Sequence, residues 1–91
     1  MWAVREGRRF ARQYKKLHDN TAADVDDAVA KLQQDPEAGD LKKGDLARLR
    51  VLKFRSGGQL YLLGYTLDQG IQLIYLEAVG PHENFYRDIK R

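Results

Sequence analysis

Cysteine is absent from the sequence, so the chain can form neither a disulfide framework nor a thiolate metal site. Histidine is scarce as well: His18 and His82 are the only two, and alone they cannot complete the four-ligand set of a structural zinc ion. We therefore expect a protein that uses no metal and no cofactor.

Long hydrophobic runs are also lacking. No apolar stretch approaches the roughly 20 residues that a membrane helix needs, and the basic N-terminal segment has no apolar block of the kind that follows it in a signal peptide. A chain of 91 residues with 43% hydrophobic content is long enough for one core and too short for two. We expect residues 1–91 to form a single soluble, cytoplasmic domain.

Charge is unevenly distributed along the chain. The net charge is only +3, with a pI near 9.3, but residues 5–16 carry six cations and one acid, Glu6. Residues 24–40 reverse this pattern with six acids against Lys31. Basic residues also close the chain, at Arg87, Lys90 and Arg91. A basic N-terminal segment of this kind favours contact with phosphate.

Two helices are predicted in the first third of the chain. After a short strand over residues 1–6, apolar positions recur at spacings of three and four from Phe10 to Leu17, which is typical of an amphipathic helix. Residues 19–21 break this pattern, and Thr21 with Asp24 resembles a capping box, so a second helix is predicted to begin near Thr21 and to end before Pro36. The two helices would form a hairpin.

Strands are predicted beyond a loop over residues 35–45. Segments 46–55, 59–67 and 71–79 are rich in strand-forming residues, and turn signals at 56–58 and 68–70 separate them, which indicates an antiparallel meander. Gly80 and Pro81 would end the last strand, and residues 82–90 would form a short helix with Phe85 in the core. The element order β-α-α-β-β-β-α predicts an α+β fold with the hairpin packed on a small, mainly antiparallel sheet.

One face of the sheet is predicted to carry function. The hairpin would cover the other face and leave this one open, and alternation places Leu52 and Phe54 inside and Lys53 and Arg55 outside. His82 follows the last strand directly and would overhang the basic face.

In this element order and in several short runs of residues, the chain resembles the RelE/ParE superfamily of toxins from bacterial type II toxin-antitoxin systems. The resemblance covers nearly the whole chain and rests most specifically on the ending His82-Glu83-Asn84-Phe85-Tyr86-Arg87. The helical hairpin and three other runs support it: Lys42-Lys43-Gly44-Asp45-Leu46, Val51-Leu52-Lys53-Phe54-Arg55 and Leu60-Tyr61-Leu62-Leu63-Gly64-Tyr65.

The resemblance implies a toxin that arrests growth and is neutralised by an acidic, partly disordered antitoxin from an adjacent gene. In the RelE-like branch it implies ribosome-associated, metal-independent cleavage of mRNA through the RNA's own 2'-hydroxyl. It then assigns catalytic roles to four side chains: His82, Lys53, Arg55 and Tyr86. Nucleic-acid contacts are expected from the basic side chains of the first helix and of the terminus: Arg8, Arg9, Arg12, Lys15, Lys16 and Arg87.

Two departures from the RelE pattern keep other functions open. Val51 stands where RelE has a further lysine, and residues 59–62 lack the arginine expected on the next strand. The ParE-like branch, which inhibits DNA gyrase, is therefore an alternative, as is a nucleic-acid-binding module without catalysis. Simpler interpretations also exist for the residues themselves: His82 as a helix cap, and Lys53 and Arg55 as a solvated strand face.

Overall fold

A computed structural model describes residues 1–90, and Arg91, the last residue of the basic terminus, lies outside them. The elements, in chain order, are β1 (Ala3–Glu6), α1 (Arg8–Lys15), α2 (Asp19–Gln34), β2 (Asp40–Leu41), β3 (Arg50–Ser56), β4 (Gln59–Asp68), β5 (Leu73–Pro81) and α3 (His82–Ile89). A single 3₁₀ turn at Gly44–Leu46 precedes β3. The predicted α+β class and element order are confirmed, with one further short strand.

The strands form one five-stranded sheet in the order β1-β5-β4-β3-β2. The meander of β3, β4 and β5 is antiparallel, as predicted, while β1 pairs in parallel with β5 from Ala3↔Leu73 to Glu6↔Leu76. At the opposite edge β2 pairs only with Arg50 and Val51. The outer edge of β3 beyond Val51 therefore has no strand neighbour in the described part of the chain.

The helical hairpin packs on one face of the sheet and forms the larger core. Phe10 of α1 and Val25 and Leu32 of α2 are almost completely buried there. They meet sheet residues that include Leu52, Leu63, Tyr65, Ile74, Leu76 and Val79. Full burial of each such side chain contributes about 1.5–3 kcal/mol, so this core fixes the hairpin on the sheet.

The opposite face is only partly open, which corrects the prediction. The C-terminal helix α3 lies on it and buries Phe85 in a second, smaller core with Leu49, Val51, Leu62 and Ala78. The prediction was wrong here because it placed Phe85 of the terminal helix in the core without stating that this helix must then cover part of the opposite sheet face. Amphipathic helices bury their apolar stripe against a neighbouring element.

The start of α2 also differs from the prediction. The helix begins at Asp19, with His18 at the N-cap position, so residues 19–21 are its first turn rather than a break. Thr21 is not a cap: its hydroxyl is buried and accepts a hydrogen bond from the Ser56 hydroxyl at 3.0 Å. This tertiary hydrogen bond replaces the predicted capping role and joins α2 to the end of β3.

Strand boundaries shift in three places. Residues 46–49 lie outside β3, because the 3₁₀ turn and the left-handed backbone of Arg48 (φ 78°) delay the strand to Arg50. Ile71 belongs to the turn before β5 and is 68% exposed, and Gln72 has a positive φ of 52°. At the other end β5 continues through Gly80 and Pro81, which pair with Leu62 and Tyr61.

Candidate functional site

Alternation along β3 places its two predicted site residues on the face that carries α3. Leu52 and Phe54 contact the hairpin-side core, whereas Val51 packs with Phe85 on the opposite face. Lys53 and Arg55 share the side of Val51 because side chains alternate along a strand, and both are exposed. The predicted separation into an apolar inner face and a basic outer face is confirmed.

His82 lies at the end of the neighbouring strands, near this basic face. Lys53 pairs with Leu62 on β4, and Leu62 pairs with Gly80 on β5, two residues before His82. Adjacent strands are about 4.8 Å apart, so β3 and β5 are about 10 Å apart along this row. The imidazole of His82 is exposed and makes no hydrogen bond or ion pair with residues 1–90.

The helix-capping interpretation of His82 does not describe its position. Pro81 occupies the N-cap of α3, and His82 is the first residue of the helix. The side chain of His82 is therefore accessible to solvent or a ligand. It lies two residues beyond Gly80, where the row from Lys53 through Leu62 ends.

Phe85 fixes α3 on the sheet through close contact with a glycine. A Cβ atom built on Gly64 would lie 2.7 Å from Cζ of Phe85 and 3.4 Å from Cδ1 of Leu49, so only glycine leaves room for the ring. Gly64 also stands at a register irregularity between β4 and β5. Phe85 is 2% exposed, which confirms its predicted role as the core anchor of the helix.

Tyr86 is held at the side of the helix that faces the loop before β3. Its ring meets the ring of Phe85 edge-on at 5.1 Å, and Nζ of Lys42 lies 5.7 Å from its centroid. A cation at this distance from an aromatic ring is attracted to its face. A second loop contact joins Lys90 and Asp45, 3.8 Å apart. The contact between Lys42 and Tyr86 was not predicted, because the two residues are distant along the chain.

Arg55 and the tip of the β3–β4 hairpin approach the start of α3. Arg55 donates to the carbonyl oxygen of Gly58 at 3.0 Å, so its guanidinium stabilises the turn. Next to it, Nε2 of Gln59 donates to Oε1 of Glu83 at 3.3 Å. The second contact connects the hairpin tip to the residue beside His82 and brings the elements that carry Arg55 and His82 together.

The basic side chains of α1 divide into two groups. Arg9, Arg12 and Lys16 line a polar cleft of about 520 Å³ together with Gln13 and Asp88. Arg8 and Lys15 are exposed and do not line it.

Two of the predicted nucleic-acid contacts have partners within the protein. Nη1 of Arg9 donates to the carbonyl oxygen of Ile89 at 3.1 Å and so links α1 to the end of α3. Arg87 contacts Asn84 at 3.2 Å and Asp88 at 3.4 Å, although its side chain is 62% exposed. Intramolecular partners of this kind reduce the freedom of the two guanidinium groups.

A groove follows the free outer edge of β3. It has a volume of about 240 Å³ between this edge and α2. Asp24, Asp27 and Lys31 line its helix side, while Leu52, Phe54 and the basic pair Lys53 and Arg55 line its strand side. Unpaired strand edges offer backbone hydrogen bonds to an added strand.

Among residues 1–90 the structure has no helix long and apolar enough to cross a membrane. Over the same residues, no group of three or more histidine, aspartate or glutamate side chains is arranged to hold a metal ion.

Comparison with known proteins finds one family and several similar folds. A family model described as the ParE-like toxin of type II bacterial toxin-antitoxin systems matches residues 4–90. No curated protein matches the sequence.

Three solved structures illustrate the likeness of fold. The RelBE2 toxin-antitoxin complex from Mycobacterium tuberculosis has a TM-score of 0.76 at 24% identity, covering 89% of this chain and 98% of that chain. A double arginine-to-alanine mutant of the E. coli toxin RelE in the free state has a TM-score of 0.77 at 16% identity, covering 98% and 90%. The intact E. coli RelBE complex has a TM-score of 0.74 at 17% identity, covering 89% and 96%.

Proposed function

Because the chain belongs to the ParE-like toxins of type II bacterial toxin-antitoxin systems, we propose that it arrests growth in the bacterial cytoplasm as a metal-independent, ribosome-associated mRNA endoribonuclease. The observation that carries this proposal is the row from Lys53 through Leu62 to Gly80, which ends beside His82. The row supports the proposal because it begins at an exposed cation and ends two residues before an exposed imidazole.

Cleavage of RNA through its own 2'-hydroxyl needs three contributions from a protein. A base takes the proton of the hydroxyl as its oxygen attacks phosphorus, cations stabilise the developing charge, and an acid protonates the departing 5'-oxygen. The products are a 2',3'-cyclic phosphate and a 5'-hydroxyl. Histidine suits proton transfer near neutral pH, and lysine and arginine suit the charge.

Each residue of the site has a role in this proposal. His82 takes the proton of the 2'-hydroxyl and delivers it to the departing 5'-oxygen, Lys53 and Arg55 bind the scissile phosphate, and Tyr86 stacks on a nucleobase or assists this proton transfer. Val51 and the absence of arginine at residues 59–62 leave fewer cations than RelE has. Lys42, which lies against Tyr86, adds one cation from the loop before β3.

A translating extract tests the activity directly. We expect new mRNA 5' ends in the presence of the protein and a 10²- to 10⁴-fold slower appearance of those ends with His82→Ala, the range that general acid-base catalysis usually contributes. His18→Ala is the matched control, because His18 lies at the N-cap of α2 on the other side of the sheet. Lys53→Ala should also slow cleavage, and Arg5→Ala on β1, at the opposite edge of the sheet from β3, should not.

Circular dichroism and melting temperatures of the same variants separate catalysis from folding. His82 and Lys53 are exposed, so their replacement should leave the melting temperature within a few degrees of the wild type. Intact transcripts alongside growth arrest would contradict the ribonuclease proposal.

The second candidate function is inhibition of DNA gyrase, and the reduced cation set is the observation that favours it. Val51 packs in the core under α3 instead of contributing a charge to the face. A gyrase inhibitor would produce gyrase-linked DNA breaks and an SOS response, which a ribosome-directed toxin should not cause directly. The two outcomes distinguish the branches in one pair of assays.

We further propose that an acidic, partly disordered antitoxin from an adjacent gene binds the groove beside β3 and adds a strand to its free edge. The E. coli and M. tuberculosis relatives are themselves solved in toxin-antitoxin complexes. Hydrogen exchange of the outer β3 amides should slow when the neighbouring gene product is bound. Unchanged exchange at β3 with protection elsewhere would place the antitoxin on another surface.

A further inference from the structure

The polar cleft lined by Arg9, Arg12, Gln13, Lys16 and Asp88, which we call the α1 cleft, lies beside the end of β5. The parallel partner β1 covers the outer edge of β5 only as far as Leu76. Beyond it, Oε1 of Gln13 accepts a hydrogen bond from the backbone N–H of Val79 at 2.9 Å. Val79 is three residues before His82, so the cleft and the candidate site adjoin the same end of the same strand.

Gln13 is oriented by this contact. A backbone N–H can be accepted only by the amide oxygen, so the NH₂ group of Gln13 must point away from the strand. The cleft therefore contains a neutral hydrogen-bond donor held in one orientation beside three cations. Among residues 1–90, Asp88 is the one acid that lines it, and this carboxylate pairs with Arg87 at 3.4 Å.

From these contacts we infer that the α1 cleft binds a backbone phosphate of the RNA whose neighbouring segment crosses the candidate site. The inference rests on the proposed RNA target and adds a second contact to it. Arg12 and Lys16 are exposed and supply the mobile positive charge, Gln13 supplies a fixed donor, and Arg9 keeps α3 against the cleft through Ile89.

The sheet register sets the order of contacts for one strand of RNA, which passes around the start of α3 because Leu62 in the middle of the row is buried under that helix. Lys53, Leu62 and Gly80 lie in one row across β3, β4 and β5, and Val79 with Gln13 follows at the outer edge of β5. An RNA strand that crosses the sheet at the C-terminal end of β5 passes Lys53 first, then His82 and then the α1 cleft. Phosphate contacts of this kind fix the register of a nucleic acid without reading its sequence.

Binding of a short RNA measures the cleft apart from cleavage. The probe is a fluorescent single-stranded RNA of about 12 nucleotides, 2'-O-methylated throughout so that it has no free hydroxyl to attack phosphorus. Arg12→Gln with Lys16→Gln should weaken binding about tenfold at low salt and reduce the slope of log affinity against log salt by about 1.4, or about 0.7 for each lost contact.

A matched pair outside the cleft controls for net charge. Arg5→Gln with Arg48→Gln also removes two cations from exposed positions, both away from the cleft and from Lys53, and should change affinity by less than about twofold. Equal losses from the two pairs would overturn the inference, because they would show a diffuse charge effect. No loss from the Arg12 and Lys16 pair would overturn it too.

Gln13→Glu tests the oriented donor. The new carboxylate still accepts the Val79 N–H, so the melting temperature should stay close to the wild type, but an oxygen replaces the NH₂ group that faces the phosphate. RNA affinity should fall at least about tenfold, the effect of losing one hydrogen bond to a charged group. Unchanged affinity would contradict the role given to Gln13.

An acidic peptide is the competing occupant of the cleft. If Arg12→Gln with Lys16→Gln weakens binding of a glutamate-rich peptide and leaves RNA binding intact, the cleft is a protein-binding site and the inference is wrong. The wild-type protein could also leave mRNA uncut while the double substitution weakens RNA binding and not peptide binding. In that case the inference about the α1 cleft stands and the cleavage proposal is wrong.

Discussion

At the scale of single residues, Tyr65 joins the sheet to the loop that follows α2. Its ring is fully buried in the hairpin-side core. Its hydroxyl donates to the carbonyl oxygen of Pro36 at 2.6 Å and accepts the backbone N–H of Gly39 at 2.9 Å. Burial raises the pKa of this hydroxyl, against the opposing effects of the Gly39 hydrogen bond and of the Arg50 charge.

Tyr65→Phe should lower the free energy of unfolding by about 1–3 kcal/mol, since it leaves a buried donor and acceptor without their partner. Tyr61→Phe is the control. Tyr61 stacks on Phe54 at 5.7 Å, and its hydroxyl makes no hydrogen bond within residues 1–90, so its loss should change stability by less than about 0.5 kcal/mol. Urea titration measures both, and equal effects would contradict the role of the Tyr65 hydroxyl.

The raised pKa of Tyr65 also predicts an alkaline limit to stability. The folded state holds the phenol proton more tightly than the unfolded chain does. The protonated phenol therefore contributes fully to the free energy of unfolding at pH values below the unfolded pKa of about 10. This contribution is lost as pH rises through the higher folded pKa. Stability should therefore fall more steeply above about pH 10 in the wild type than in Tyr65→Phe, which urea titrations across this range will measure.

Single residues differ in how far the sequence predicts their roles. Alternation placed Lys53 and Arg55 on the correct face, because a strand repeats every two residues whatever its surroundings. The contact of Arg9 could not be predicted, since its partner is a backbone carbonyl 80 positions further along the chain. Gln13 was missed for the same reason: no local pattern indicates which side chain will bond the free N–H of a distant strand.

At the scale of elements, α3 has one buried anchor and several contacts at its margins. Phe85 is its only buried residue, and Arg9 and Asp45 hold its C-terminal end. Whatever positions Phe85 also positions His82 and Tyr86. The fit of this ring over Gly64 therefore controls the geometry of the candidate site.

Gly64→Ala should displace α3, because its Cβ would lie 2.7 Å from Cζ of Phe85. We expect a loss of about 1–3 kcal/mol in stability, typical of overpacking, with shifted α3 amide resonances. Adding Phe85→Leu shortens the opposing side chain and should restore the amide positions in part. Gly80→Ala is the control, since nothing lies within 4 Å of its Cβ; a similar loss there would mean that the Phe85 contact is not the cause.

Element predictions succeeded where local signals exist and failed where they do not. Periodicity and turn residues gave the hairpin, the meander and the terminal helix. β2 has only two residues and cannot show a period. The site where α3 packs on the sheet was not predicted. It is formed by the small residues Gly64 and Ala78, which lie beneath Phe85 through a tertiary contact that no local sequence pattern indicates.

At the scale of the whole molecule, stability should be graded from the centre of the sheet outward. β4 and β5 are paired on both sides for much of their length and have cores on both faces, while α3 depends on one buried side chain. Regions with few buried contacts open without global unfolding.

Native-state hydrogen exchange should therefore show α3 amides opening at a lower free energy than the amides of β4 and β5. The central strand amides should exchange only through global unfolding and should follow the stability measured in urea. Added denaturant separates the two classes, because local opening exposes little surface and depends weakly on denaturant. Equal protection of α3 and β4 would show that the second core unfolds together with the first.

The parallel pairing of β1 with β5 has a consequence for a nascent chain. Ala3–Glu6 is synthesised well before its strand partner Leu73–Leu76, so closing this pair requires contact between segments about 70 positions apart. α3, with His82 and its anchor, emerges later still. A nascent chain that ends before β5 therefore lacks both the closed sheet and His82, so the sheet and the candidate site are completed together, by the last part of the described sequence to be synthesised.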